Sequence, residues 1–318
     1  MQKDWDDFWI SFLDYKKLNT KISELNTIDD SEKTESICRK IYYQYDEYKE
    51  ILEKIRRMFV QEIEHFSGVH LQTSRTKSIE SLLEKIVNKR YENLLNRDSL
   101  YSTISPDNFS SIITDMVGVR TIIGYRGEWS QLHSEIIEKF PYKALSEYAD
   151  NRFIQHKENE QFIAEIPKVY YSDGDDLSIY ENKTVKCILK DSGYRSVHYV
   201  ISFMNAYIEL QTRTIYDEAW SDCDHRYVYK HEENRSHHAL QILSDILCKN
   251  TNASNDLGDL MHKVFSEEGI IDSNDGSFFF SDKRVSEIID GIAIKYGDSL
   301  RKLERFKERL KERTTNDE

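Results

Sequence analysis

Residues 206–214, AYIELQTRT, alternate Glu209, Gln211 and Arg213 with Ile208 and Leu210. In an extended strand that spacing puts a carboxylate, an amide and a guanidinium on one face and the apolar pair on the other. Just upstream, GYRSVHYVISF (193–203) spaces Tyr194, Ser196 and His198 in the same way. Pairing of the two runs through a tight turn at Met204-Asn205 would line one cleft with an aromatic ring, an imidazole, a carboxylate and an amide. A second acid, Asp115, stands at the mouth of MVGVRTIIGY (116–125), a short β-branched run that reads as a buried strand. Gly118 within that run lets a backbone or a ligand come close. Carboxylates so placed can hold Mg²⁺ between phosphate oxygens. Cations come from Arg75 and Lys77, just ahead of a helix over 78–96 with Ser78 as N-cap, and from Lys85, four residues after Ser81 and on the same face. A helix N-terminus flanked by basic groups favours phosphate. No glycine cradle is present, so this is no P-loop. Taken singly, each pattern is also that of a solvated charge, a turn aspartate or a solvated sheet face. Residue types and spacing alone leave that choice open.

The elements that must position these groups follow from periodicity. Trp5, Phe8, Trp9, Phe12 and Leu13 form one apolar face, so 4–18 is a helix. The polar stretch 20–33 reads as a loop. Helical periodicity returns over 34–66, with Ile37, Tyr43, Tyr48, Ile51, Ile55, Phe59 and Ile63 as the expected inward positions. A helix is expected over 128–140, strands joined by a loop with a turn at Asp173-Gly174 over 162–190, and a helix over 215–231. From 237 onward two helices are expected. A last, charged stretch (298–318) carries a narrow seam of Leu303, Phe306 and Leu310. The fold class is α+β, a mixed or antiparallel sheet flanked by helices. Three regions are expected: an N-terminal helical region at 1–70, an α+β core at 71–231 and a C-terminal helical extension at 232–318.

Composition narrows the function. Of 318 residues 39% are hydrophobic, enough for a sizeable core, and the formal net charge is -13. An acidic body does not hold duplex nucleic acid by its whole surface. Any polyanion site must be local, and Lys186, Lys190, Arg195, Arg226 and Lys230 are the candidates for a patch. Cys38, Cys187, Cys223 and Cys248 form no CxxC pair, so no zinc site or disulfide framework is legible. The N-terminus carries acids where a signal peptide would be apolar, and no apolar run is long enough to span a bilayer. A cytoplasmic protein with no membrane contact is expected.

Taken in order, the motifs carry a resemblance. They are R-x-K-x3-S-x3-K from Arg75, D-x2-G-x-R from Asp115, GYRSVH at 193–198, E-x-Q-x-R-T from Glu209, and A-W-x4-H-x4-K from Ala219 through Trp220 and His225 to Lys230. Over about residues 45–231 the chain resembles the RelA/SpoT-type alarmone synthetase domain, in its small single-synthetase class. The resemblance implies a nucleotidyltransferase-like fold and Mg²⁺-dependent transfer of the β,γ-pyrophosphate of ATP to the 3′-OH of GTP or GDP, the reaction of a GTP pyrophosphokinase making (p)ppGpp. It implies that Arg75, Lys77, Ser81 and Lys85 bind ATP. Asp115 would hold the metal. Tyr194 would stack on the acceptor guanine, and His198 would contact acceptor phosphates. Glu209 would be a second metal ligand or the group that activates the 3′-OH, with Gln211 beside it.

Ser192 stands where members of the family commonly carry Asn, and residues 142–190 are longer and more acidic than in the smallest members. Some relatives are toxins that pyrophosphorylate the 3′ end of tRNA, and others make adenosine alarmones. A changed acceptor of that kind is the alternative. A non-catalytic binding module is the third reading. The early His-Asp motif of the hydrolase half is missing, and His237-His238 read as helix surface. A homo-oligomer or a regulatory partner would use the C-terminal helices.

Overall fold

The computed structural model describes residues 4–28, 34–96, 99–143, 160–229 and 237–267. The expected helix over 298–318 and Lys230 lie outside the described residues. Helix α1 (Trp5–Lys16) starts at Asp4, whose carboxylate accepts from the Asp6 N–H at 3.0 Å. Its Trp5 and Trp9 rings stack at 4.9 Å, and Trp5 meets Tyr42 edge-on at 5.3 Å. Tyr42 lies on α3 (Thr34–Glu62), so the first helix is fixed by aromatic packing on the third.

Between them residues 20–28 of the expected loop are helical, in α2 (Asn19–Ile28), and 29–33 lie outside the described residues. The polar composition of α2 hides an apolar stripe: Ile22 and Leu25 continue from Leu18, just ahead of the helix, at one-turn spacing, and all three are buried. The inward face expected for 34–66 holds at Ile37, Ile55, Phe59 and Ile63, all buried, and fails at Tyr43 and Ile51. Cys38, Ile41, Tyr42, Tyr45, Leu52, Ile55 and Phe59 are buried, whereas Tyr43 and Ile51 are about half exposed. The buried set keeps the i, i+3, i+4, i+7 rhythm, and the two outward residues break it.

Among the described residues seven strands form one mixed sheet: β1 (Val69–Thr76), β2 (Val117–Ile123), β3 (Phe162–Ile163), β4 (Lys168–Tyr171), β5 (Lys186–Leu189), β6 (Ser196–Phe203) and β7 (Ala206–Thr214). The order is β1-β2-β7-β6-β4-β5, with β3 also paired to β6. Strand pairs β2/β7 and β4/β5 are parallel and the rest antiparallel. The β6–β7 hairpin turns at Met204 and Asn205, both at positive φ (48° and 62°). That is the two-residue turn whose twist matches its strands.

One sheet face carries Val119, Val197, Tyr199, Ile201, Ile208 and Leu210, all buried in the main core under α3 and under α6 (Trp129–Lys139), which follows α4 (Ile79–Glu92) and the short α5 (Phe109–Ile112) in the chain. Phe59 of α3 packs edge-on against Phe203 at 5.3 Å. The opposite face keeps its polar residues and faces the cleft described below. The sequence thus separates core from site by strand alternation alone.

Helix α7 (Ile215–Asp224) follows β7 directly, capped by Thr214, and a five-residue π-turn (His225–Tyr229) extends it. The two helices expected beyond 237 are one, α8 (His238–Glu267). The run Asn250–Asn255 reads as a break, yet Asn252 and Asn255 are buried, and Asn255 Nδ2 donates to Asp217 Oδ1 at 3.0 Å. Interior polar partners keep those asparagines inside the helix. At Gly193 (φ +82°) a Cβ would come within 2.4 Å of the Cys248 Sγ, so α8 presses directly on the entrance to β6. Among the described residues, no helix is long and apolar enough to cross a membrane.

Helix α6 carries a titratable core group. His133 is buried, stacks on Trp129 at 4.5 Å and shares a 3.0 Å hydrogen bond with the Tyr199 hydroxyl. Burial, with Lys183 adding to it, pushes its pKa down to about 4 from 6.5. The unfolded chain therefore binds the proton first as pH falls, and stability drops between pH 6.5 and about 4. The melting temperature of a His133→Gln variant is expected to fall less steeply than wild type across that window. Parallel slopes in thermal denaturation would refute the assignment.

Candidate active site

The cleft is built across four neighbouring strands. Arg75 on β1 pairs in register with Gly118 on β2, and Gly118 with Glu209 on β7. One row along, Thr73, Arg120, Gln211 and His198 align on β1, β2, β7 and β6. Paired residues share a face, so both rows open on the same side. Together Arg75, Asp115, Gly118, Arg120, Glu209 and Gln211 line a cavity of about 180 Å³. The missing side chain at Gly118 leaves the floor open between Arg75 and Glu209. A Cβ there would lie 3.9 Å from Arg75 Cγ, which the fold accommodates but the cavity would lose.

Asp115 precedes β2 and gathers the helix cations. Its Oδ2 lies 2.7 Å from Lys77 Nζ and its Oδ1 2.9 Å from Lys85 Nζ. Oδ1 is buried and receives no aligned hydrogen bond, so it keeps unused acceptor capacity. Lys77 is held by its backbone, whose carbonyl accepts from the Tyr45 hydroxyl, and Lys85 comes from the second turn of α4 (Ile79–Glu92). Ser78 caps α4 as expected, accepting from the Ser81 N–H at 3.2 Å. The Ser81 hydroxyl accepts from Ser78 Oγ at 3.1 Å and is outside the cavity lining. Arg75 is exposed and makes no ion pair among the described residues.

Glu209 is gripped from two sides. Gln211 Nε2 donates to its Oε2 at 2.8 Å, and His198 Nδ1 lies 3.4 Å from its Oε1. Burial works to raise its pKa, but the His198 contact, the Gln211 hydrogen bond and the Lys85 charge together hold it down to about 2. Glu209 is therefore an anion at neutral pH. The other nitrogen of His198, Nε2, sits 3.0 Å from the Tyr194 hydroxyl. Tyr194 lies just before β6 rather than within it. Its ring carries the Arg213 guanidinium on one face, 4.9 Å from the centroid, and meets Tyr170 edge-on at 5.7 Å.

The structure thus brings Arg75, Asp115, Glu209 and Gln211 to one cavity, adds Lys77 and Lys85 through Asp115, and adds His198 and Tyr194 through Glu209. Ser81 stays at the start of α4. Three neighbours carry no role in the sequence reading: Arg120, Arg213 and Glu218. Glu218 Oε1 accepts from Arg120 and its Oε2 from Arg213, each at 2.9 Å. A signal was present, since Thr214 and Asp217 form a capping pair that starts α7 just after β7 and turns Glu218 back toward the sheet.

Of the residues expected in a basic patch, Arg195 is turned away from the surface, Arg226 is exposed but paired, and Lys230 lies outside the described residues. Arg195 is buried and clamped in a bidentate pair by Asp175 at 2.7 and 2.8 Å, and Arg226 pairs with Asp222 at 3.0 Å. Arg195 faces inward because Asp175, Asp217 and Arg126 form a buried charge cluster at the end of the sheet.

Comparison with known proteins adds three findings. The model of the region found in RelA / SpoT proteins matches residues 74–234, just over half of the chain. No curated protein matches the chain. Among solved structures, small alarmone synthetase 1 from Bacillus subtilis bound to its product pppGpp is 16% identical, with 70% of this chain and 94% of that chain covered and a TM-score of 0.39. The same synthetase bound to AMPCPP is 15% identical, covering 72% and 95%, with a TM-score of 0.40. A GTP pyrophosphokinase family protein from Streptococcus pneumoniae is 20% identical, covering 72% and 91%, with a TM-score of 0.36.

Proposed function

The chain belongs to the family defined by the region found in RelA / SpoT proteins, and from that premise we propose that it transfers the β,γ-pyrophosphate of ATP to the 3′-OH of GTP or GDP. The observation that carries the reading is the register row Arg75–Gly118–Glu209, with Asp115 lining the same cavity. Two carboxylates and a set of cations around an open floor suit a triphosphate better than any neutral substrate.

The donor set fits Mg²⁺: hard carboxylate oxygens, with Asp115 Oδ1 holding spare acceptor capacity. Asp115 and Glu209 would hold the ion, which when bound neutralises charge on the transferring phosphates. Arg75, Lys77 and Lys85 bind the polyphosphate, the two lysines moving from Asp115 toward phosphate oxygens. A base can stack only on the Tyr194 face opposite Arg213, and His198 then stands between that ring and Glu209. The acceptor 3′-oxygen bonds to the β-phosphorus, the bond from that phosphorus to the α,β-bridging oxygen breaks, and AMP leaves with that oxygen. The 3′-OH proton is released to solvent. A carboxyl held at about 2 serves better as a fixed anion than as a proton acceptor. Transfer of this kind needs placement and charge complementarity more than covalent help.

The test is direct. Purified protein, Mg²⁺ and ATP labelled in its γ-phosphate are offered GTP, GDP, ATP or tRNA in turn. Label on GTP or GDP is expected. Label on tRNA alone would move the acceptor assignment to the 3′ end of tRNA, and label on nothing would leave a binding module.

A further inference from the structure

We infer that Arg213 is a positioning residue that sets both the acceptor platform and the catalytic carboxylate, an inference that rests on the proposed transfer reaction. Its side chain is buried in the sheet face that carries the site. One Nη donates to the Tyr194 hydroxyl at 2.6 Å and to Gln211 Oε1 at 2.8 Å. The other donates to Glu218 Oε2 at 2.9 Å and to Ser221 Oγ at 2.8 Å. The planar guanidinium also covers one face of the Tyr194 ring.

Each contact has a consequence. The bond to Gln211 fixes which way that amide points: its oxygen faces Arg213, so its NH₂ faces Glu209 Oε2. The bond to Tyr194, together with the covered face, fixes the ring plane and restricts a stacking base to the opposite face. Glu218 and Ser221, both on α7, hold Arg213 in turn, so the platform is keyed to α7. Lysine cannot reproduce this, because a single ammonium has neither the fork nor the flat surface. Acceptor binding should suffer first, since donor phosphates meet Arg75, Lys77 and Lys85 on the far side of Glu209.

Steady-state transfer is measured for wild type, Arg213→Lys, Tyr194→Phe and the double variant, with acceptor and ATP varied separately. Arg213→Lys is expected to raise the acceptor KM about tenfold, equivalent to about 1.4 kcal/mol and within what a stacked base contributes. The ATP KM should stay within about twofold, and the double variant should be less impaired than the product of the two single effects, because both remove the same contact. A purely structural Arg213 would lower the active fraction and leave both KM values alone, and that result overturns the inference. So does an equal rise in both. Should Arg213→Lys fail to fold, Glu218→Gln leaves the arginine in place but loosens it. A rise in acceptor KM alone then supports the inference, and an unchanged one overturns it. Wild-type protein that transfers to no acceptor removes the functional reading and this inference with it; active wild type with unaffected variants removes the inference only.

Discussion

Glu209→Gln is expected to reduce pyrophosphate transfer by about 10²–10⁴, the range seen when a single charged or proton-handling group is removed from an active site, while the protein stays folded. The side chain contributes little packing: it sits on the polar face of β7 at the cavity, with the core residues Ile208 and Leu210 on the other. Glutamine keeps the shape and one oxygen to accept from Gln211. It loses the negative charge that His198, Gln211 and Lys85 hold in place. The stability cost should be about 1 kcal/mol, that of one impaired hydrogen bond. Binding of an ATP analogue without metal should change by no more than about twofold, since the triphosphate cations are untouched. Turnover within tenfold of wild type, measured on protein with a normal unfolding curve, would take Glu209 out of the mechanism.

Most of this site was legible because strand alternation is a strict rule. Glu209, Gln211 and Arg213 against Ile208 and Leu210 could only fall on opposite faces once the run was a strand, and the Met204-Asn205 turn fixed its partner. What sequence reasoning could not supply was convergence from distant segments. Nothing near Glu218 points to Arg120, which lies 98 residues away in the chain. Arg195 sits in a strand-like run beside Tyr194, and only the loop that brings in Asp175 turns it from a surface cation into a buried one. The helical misreadings have a local cause. In 20–33 and 250–255, Asn, Ser and Thr signal a break. Tertiary burial of Ile22 and Leu25 in the first case, and of Asn252 and Asn255 in the second, overrides that propensity. Residue type favours Tyr43 and Ile51 inside, although their places on the helix leave both about half exposed.

Asp115→Asn should separate metal use from phosphate binding. In the free protein the carboxylate faces two ammonium groups at 2.7 and 2.9 Å. All three side chains are part-exposed, so each pair is worth about 0.2–1 kcal/mol. Neutralising Asp115 releases Lys77 and Lys85 for phosphate oxygens. Metal-free binding of an ATP analogue should then tighten about two- to tenfold, from the same pair energies returned to the ligand. Transfer should nonetheless fall about 10²–10³, because charge stabilisation in the transition state is lost. The strengthening of analogue binding by Mg²⁺ seen in wild type should shrink as well. Titration calorimetry with and without Mg²⁺ reads all of this beside the transfer assay. Weaker metal-free binding would mean that Lys77 and Lys85 do not meet the polyphosphate. Preserved turnover would mean that the acid at the mouth of β2 serves only to pair two lysines.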